Sequence, residues 1–123
     1  MLSQNNLFSS LCKQHDIKFS DMQTNPYNQK PMDLEWMYRN RSMQTYDEIF
    51  LGLYSNEELR SVSFFHEMGH ILDTQNHRTK YTQEKVAWKV GFRLAKKHGF
   101  KFSKKTKLWC RQQLRSYDKP EYR

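Results

Sequence analysis

The chain reads as an α+β domain: a small sheet of about three strands from residues 17–54, with three to four helices packed against it. Three observations predict this. After residue 55, apolar residues recur at helical spacing, at Leu59, Val62, Phe65, Gly69 and Leu72 and again at Ala87, Trp88, Gly91 and Ala95. Before it lie short alternating stretches of the kind that form half-buried strands. The length, 123 residues, allows one domain, and an aromatic share of 15% supplies large side chains for a core that is otherwise lean in apolar residues.

The elements follow in order. Asn5 or Asn6 is the candidate cap of a first helix, in which Leu7, Phe8, Leu11 and Cys12 form a core-facing stripe. Ile17-Lys18-Phe19 alternates and predicts a strand. Residues 20–33 hold two prolines among polar residues and predict a loop. Leu34, Trp36 and Tyr38 alternate with polar or flexible neighbours, Asn40-Arg41 is a candidate turn, and residues 48–53 form another candidate strand, so a hairpin or two sheet strands are expected here.

Ser55 with Glu58 three residues on has the form of a capping box, and the acidic first turn suits the positive end of a helix dipole. That helix should run to about Asp73 or Thr74. After a polar connection, Gln75 to Tyr81, Thr82 is the candidate cap of the next helix. Its end is marked by Lys96, Lys97 and His98, then Gly99 for a left-handed residue. Ser103 is the candidate cap of a last helix through Tyr117, with Leu108, Cys110, Leu114 and Tyr117 facing inward.

The second helix carries His66-Glu67-Met68-Gly69-His70, an H-E-x-x-H match. Residues i and i+4 share a helix face one turn apart, so both imidazoles can reach one ion. The Glu beside them can take a proton from an attacking water. Two imidazoles, a third protein ligand and one open position suit catalytic zinc. In a chain of this composition the match arises by chance on the order of 1% of the time.

Three candidates for the third ligand lie downstream: Asp73, His77 and Glu84. The metzincin pattern would need Gly at 73 and His at 76, where Asp73 and Asn76 stand. Asp73 follows His70 on the same helix and is better placed to support a ligand than to be one. Glu84 is preferred. Glu84, Ala87, Trp88, Gly91 and Ala95 share one face of the next helix, and its small residues let two helices approach closely. His77, Tyr81 and Tyr117 are candidate donors to a transition-state oxyanion, His77 and Tyr81 because they fall between the two ligand-bearing helices.

HEMGH followed by Glu84-Lys85-Val86-Ala87-Trp88 resembles the gluzincin-type zinc peptidases, above all small ImmA/IrrE-like and phage-encoded zincin domains, over residues 47–98. The resemblance implies His66, His70 and Glu84 as ligands of Zn2+ and Glu67 as general base. It implies that residues 48–53 are an edge strand that pairs with extended substrate. It also implies a peptidase acting on one or a few cytoplasmic proteins, often regulators. The interval between His70 and Glu84 is short for the group. Trp88 stands where related enzymes often carry a polar supporter of a zinc-binding His, which leaves Asp73 to fill that role. Residues 1–123 read as a single domain, with 47–98 as the site-bearing core and 99–123 as a basic helix and tail.

Residues 85–117 hold eleven Lys/Arg and no Asp or Glu, so the whole net charge of +8 arises there. Such a surface attracts polyanions or acidic protein surfaces. It supports two other readings: a non-catalytic zincin-fold binding protein working through its basic surface on a host protein or nucleic-acid complex, and a SprT-type nucleic-acid-associated protease with His77 as third ligand. No apolar run approaches the roughly 20 residues of a membrane span. The start, MLSQNNLFSSLCKQHD, lacks the pattern of a secretory signal. With Cys12 and Cys110 expected to be reduced and buried, this predicts a cytoplasmic protein with no membrane contact.

Overall fold

A computed structural model describes residues 4–22 and 41–123. Its described elements are α1 (Gln4–Gln14), β1 (Lys18–Asp21), β2 (Met43–Gln44), β3 (Glu48–Leu51), α2 (Glu57–Leu72), α3 (Lys80–Lys97), α4 (Lys104–Arg115) and a 3-10 turn at Pro120–Tyr122. The α+β class with a small sheet is as expected. The alternation at Leu34, Trp36 and Tyr38, most of the loop at 20–33 and Asn40 of the candidate turn lie outside the described residues.

The sheet order is β1-β3-β2. β1 runs parallel to β3, with Lys18 opposite Glu48 and Asp21 opposite Leu51. β2 runs antiparallel, with Met43 opposite Phe50 and Gln44 opposite Ile49. Residues 48–53 are therefore not an edge. β3 is the central strand, and its pairing demand is met on both sides, so the expectation of a substrate-pairing edge there is corrected. Among the described residues β2 and β3 form a hairpin, joined at Thr45-Tyr46-Asp47, where Thr45 N–H donates to the Glu48 carbonyl at 2.8 Å.

Helix α2 occupies the centre. Residues Arg60 to Phe65 are buried without a break, because α1 and the sheet cover one side of the helix and α3 covers the other. A helix buried on several faces must be apolar on more than one stripe. Phe64 and Met68 carry the second stripe, while Leu59 and Leu72 at the ends of the expected one are only half-buried. Phe8 of α1 stacks on Phe64 with centroids 4.0 Å apart, and Ile49 and Leu51 of β3 close the core from the sheet side. Arg60 forms a buried ion pair with Asp21, tying α2 to the end of β1. A second cluster, Val62, Trp88 and Cys110, joins α2, α3 and α4.

Several helix ends differ from expectation. α1 is already under way at Gln4, so Asn5 and Asn6 lie in its first turn. The cap of α2 is Asn56, whose side chain accepts from Leu59 N–H at 2.8 Å, not Ser55. Glu58 does not complete a capping box; its carboxylate accepts from Ser103 N–H at the start of α4. α3 begins three residues early, capped by Thr79, which accepts from Thr82 N–H at 3.1 Å. Gly99 has φ 83 and Ser103 caps α4, both as predicted. On α4, Cys110 is buried and Leu114 and Tyr117 half-buried, but Leu108 points to solvent, 47% exposed, and Thr106 takes an inward place.

Cys12 and Cys110 are free and buried. Burial pushes both thiols up to about 12, which removes them as nucleophiles. Among the described residues no helix is long and apolar enough to cross a membrane.

Candidate metal centre

α2 and α3 pack almost backbone to backbone, and two glycines allow it. A Cβ on Gly91 would lie 2.5 Å from the Phe65 carbonyl oxygen and 3.2 Å from His66 N. A Cβ on Gly69 would lie 3.0 Å from both the Ala87 carbonyl carbon and Gly91 N, with the Ala87 oxygen closer still. The small-residue face expected of α3 is thus the interface itself. It brings Glu84, in the second turn of α3, over the face of α2 that carries the two histidines.

Glu84 Oε2 lies 2.9 Å from His66 Nε2 and 2.9 Å from His70 Nε2, and the two ring nitrogens are 3.2 Å apart. Donors at about 2.0–2.1 Å from a tetrahedral zinc lie roughly 3.3 Å apart, close to this triangle. Protons alone serve it poorly. Both imidazoles would donate to one oxygen, and the N···N approach would set two like-polarised N–H groups against each other. A single cation uses all three lone pairs at once, so the donor set fits a metal. Among the described residues, His66, His70 and Glu84 are the group arranged this way.

The electrostatics agree. Burial holds His66 below its ordinary value, hence neutral near pH 7 and able to ligate. Burial works to raise the Glu84 carboxyl, but hydrogen bonds from His66 and His70 outweigh it and keep it ionised. Lys80 Nζ sits 3.3 Å from the other carboxylate oxygen, Oε1. His66 Nδ1 is buried and has no hydrogen-bond partner among the described residues. The ring is held instead by stacking on Trp88, centroids 3.8 Å apart and planes 28° apart. Trp88 thus positions a candidate ligand through ring contact, while Asp73, the expected supporter, is engaged with His77.

No family model, curated protein or solved structure matches this chain.

Glu67 lies beside His66 on the wall of an open cleft of about 390 Å³. Arg41, Ser42 and Met43 at β2, Tyr54, Ser63, Trp88, and Trp109, Gln113 and Tyr117 of the C-terminal segment line the rest. Glu67 is 7% exposed. Burial, and then the negative charge of Glu84, push its carboxyl up to about 8. Tyr54 presents a hydroxyl that shares a 2.7 Å hydrogen bond with Ser42 Oγ.

The other sequence candidates separate. His77 is not with the ligand group: its Nε2 meets Asp73 Oδ2 at 2.6 Å, a pair whose side chains are 8% and 6% exposed. Asp73 also accepts from Gln75 N–H, so its carboxylate serves the helix end and His77. Tyr81 lies in the first turn of α3, not in the connection, with its ring under the Arg123 guanidinium at 5.0 Å. Neither His77 nor Tyr81 lines the cleft; of the three oxyanion candidates only Tyr117 does. Tyr54, Trp109 and Lys80 were missed. Only Lys80 had a local signal, its i,i+4 spacing to Glu84.

Proposed function

We propose that this chain is a zinc-dependent peptidase, zincin-like in architecture, with His66, His70 and Glu84 holding the ion and Glu67 as general base. The observation that carries the reading is the convergence of three donor atoms from two helices beside a buried carboxylate on an open cleft. When bound, zinc would supply Lewis acidity, polarising a carbonyl and acidifying a water.

The chain's own residues supply the rest. Glu67 accepts a proton from the attacking water and returns it to the leaving amine. In the metal-free chain burial and the charge of Glu84 push this carboxyl up to about 8; a bound cation would oppose that rise and favour the carboxylate that accepts the proton. Its burial keeps bulk water away from the proton being moved. Tyr54 and Tyr117, on the walls of the same cleft, are two of the hydroxyl donors available to a developing oxyanion. Trp88 fixes the His66 ring. The substrate class is a protein segment that can lie extended through an open cleft beside β2, which among the described strands is an outer one and lines the cleft at Met43.

Elemental analysis of the purified protein tests the first half: about one zinc per chain is expected. Glu67→Gln tests the second. It should keep the metal and lower peptide-bond hydrolysis by about 10²–10⁴-fold. No zinc after supplementation, or undiminished hydrolysis by the variant, overturns the proposal.

A further inference from the structure

A groove runs between α3 and α4, with Trp88 in its wall. Its first hollow, about 270 Å³, has Trp88, Phe92, Cys110 and Leu114 as walls. Its second, about 660 Å³, is closed by Phe92, Phe100 and Phe102. The hollows share Phe92 and Lys107, so they are successive sites of one groove.

The rim has one sign of charge. Lys107 and Arg111 border the first hollow, and Lys96, Lys101 and Lys107 the second. All four cations are solvent-exposed. The sequence from 85 to 117 holds no Asp or Glu. The helical spacing explains the layout. Lys107, Cys110, Arg111 and Leu114 fall at i, i+3, i+4 and i+7, so α4 presents an apolar seam with cations along it. Trp88, Phe92 and Lys96 do the same on α3.

We propose that this groove docks an acidic peptide segment with large apolar anchors, supplied by a partner protein. Apolar side chains would fill the two hollows, and flanking carboxylates would meet the rim cations. A groove with an apolar floor and a charged rim takes an amphipathic segment in this way. Nucleic acid fits less well, because base edges would meet a floor with almost no hydrogen-bonding groups and remain unpaired. The proposal does not depend on the peptidase reading: the groove shares only Trp88 with the cleft and uses no metal ligand.

The test is fluorescence anisotropy with the full chain at about 50 mM salt, where exposed charges are weakly screened. The probe is a short labelled peptide with two Phe anchors among Glu residues. Two control peptides replace Glu by Lys or Phe by Ser. The first peptide should bind about tenfold or more tighter than either control. The double variant Lys107→Glu, Arg111→Glu changes only exposed side chains and should weaken its binding by about tenfold or more, with the circular dichroism spectrum unchanged. The same loss in the Glu67→Gln protein background would show that docking and cleavage are separate. Equal binding of the Ser-for-Phe peptide would reduce the groove to nonspecific charge and overturn the proposal. So would unchanged binding by the double variant, or displacement of the peptide by a single-stranded oligonucleotide or by oleate at lower concentration.

Discussion

Replacing Gly91 by Ala tests whether close helix approach builds the metal centre. The new Cβ would stand 2.5 Å from the Phe65 carbonyl oxygen and 2.8 Å from its carbon, whereas ordinary contact begins at 3.4 Å. The obstacle is backbone, so no rotamer change relieves it. α3 must retreat by about 0.9 Å, the gap between those two oxygen distances. Overpacking of this kind costs about 1–3 kcal/mol. The better helix propensity of Ala returns about 1 kcal/mol. With both atoms of one carbonyl and a neighbouring amide nitrogen obstructed, we expect a net loss of about 2 kcal/mol, toward the top of that range. For a chain of this size that is a fall in Tm of roughly 6–12 °C. If α3 moves as a unit, Glu84 Oε2 recedes from the histidine nitrogens by a similar distance. The donors then no longer fit one ion, and zinc affinity should fall by about tenfold or more. Thermal denaturation reads the first effect, and competition with a chromogenic chelator reads the second. A Gly91→Ala protein that is more stable than wild type and binds zinc equally would refute the reasoning, since it would mean that the helices do not approach this closely.

Other consequences are as direct. Folded Glu67 keeps a proton up to about 8, while the unfolded chain releases it near 4.5, so ionisation opposes folding and stability falls as pH rises. His66, lowered, acts in the opposite sense, mostly below 6.5 and fading over the next pH unit. From pH 6.5 to 8 the metal-free protein should therefore lose about 1 kcal/mol, measured by urea titration, and Glu67→Gln should remove that loss. Asn56→Ala should cost about 1 kcal/mol and Ser55→Ala close to nothing, since Asn56 makes the cap hydrogen bond; a reversed order in denaturant midpoints would restore Ser55 as cap. Glu84→Ala should abolish stoichiometric zinc and His77→Ala should leave it, because His77 is engaged by Asp73; elemental analysis of both variants decides this.

What could be read without coordinates was mostly what a single helix determines. His66 and His70 share a face by spacing alone, and the small face of α3 announced a close neighbour. Gly99 and Ser103 were legible because each acts within one turn. The caps of α2 and α3 were not. Ser55 and Asn56, and Thr79 and Thr82, are competent neighbours, and sequence does not rank them. Glu58 was diverted by a partner 45 positions away, which no local pattern reveals. The central place of β3 escaped because β2 is two residues long and shows no alternation. The cleft was hidden for a related reason: Ser42, Tyr54, Trp109 and Gln113 meet only through tertiary packing, and nothing in their own segments marks them.

The locality of the ligand set bears on the order of assembly. His66 and Glu84 are 18 positions apart, within one helical hairpin whose interface is glycine against backbone. The parallel pairing of β1 with β3 joins positions 30 apart, Lys18 with Glu48. Chain closure costs more entropy for the longer span, and parallel pairing forms slowly. The hairpin is thus the natural nucleus, and an ion captured there would hold α2 and α3 in register while the strands and α1 find their places. In that sequence of events a bound metal would act on the folding chain as a template before any later role.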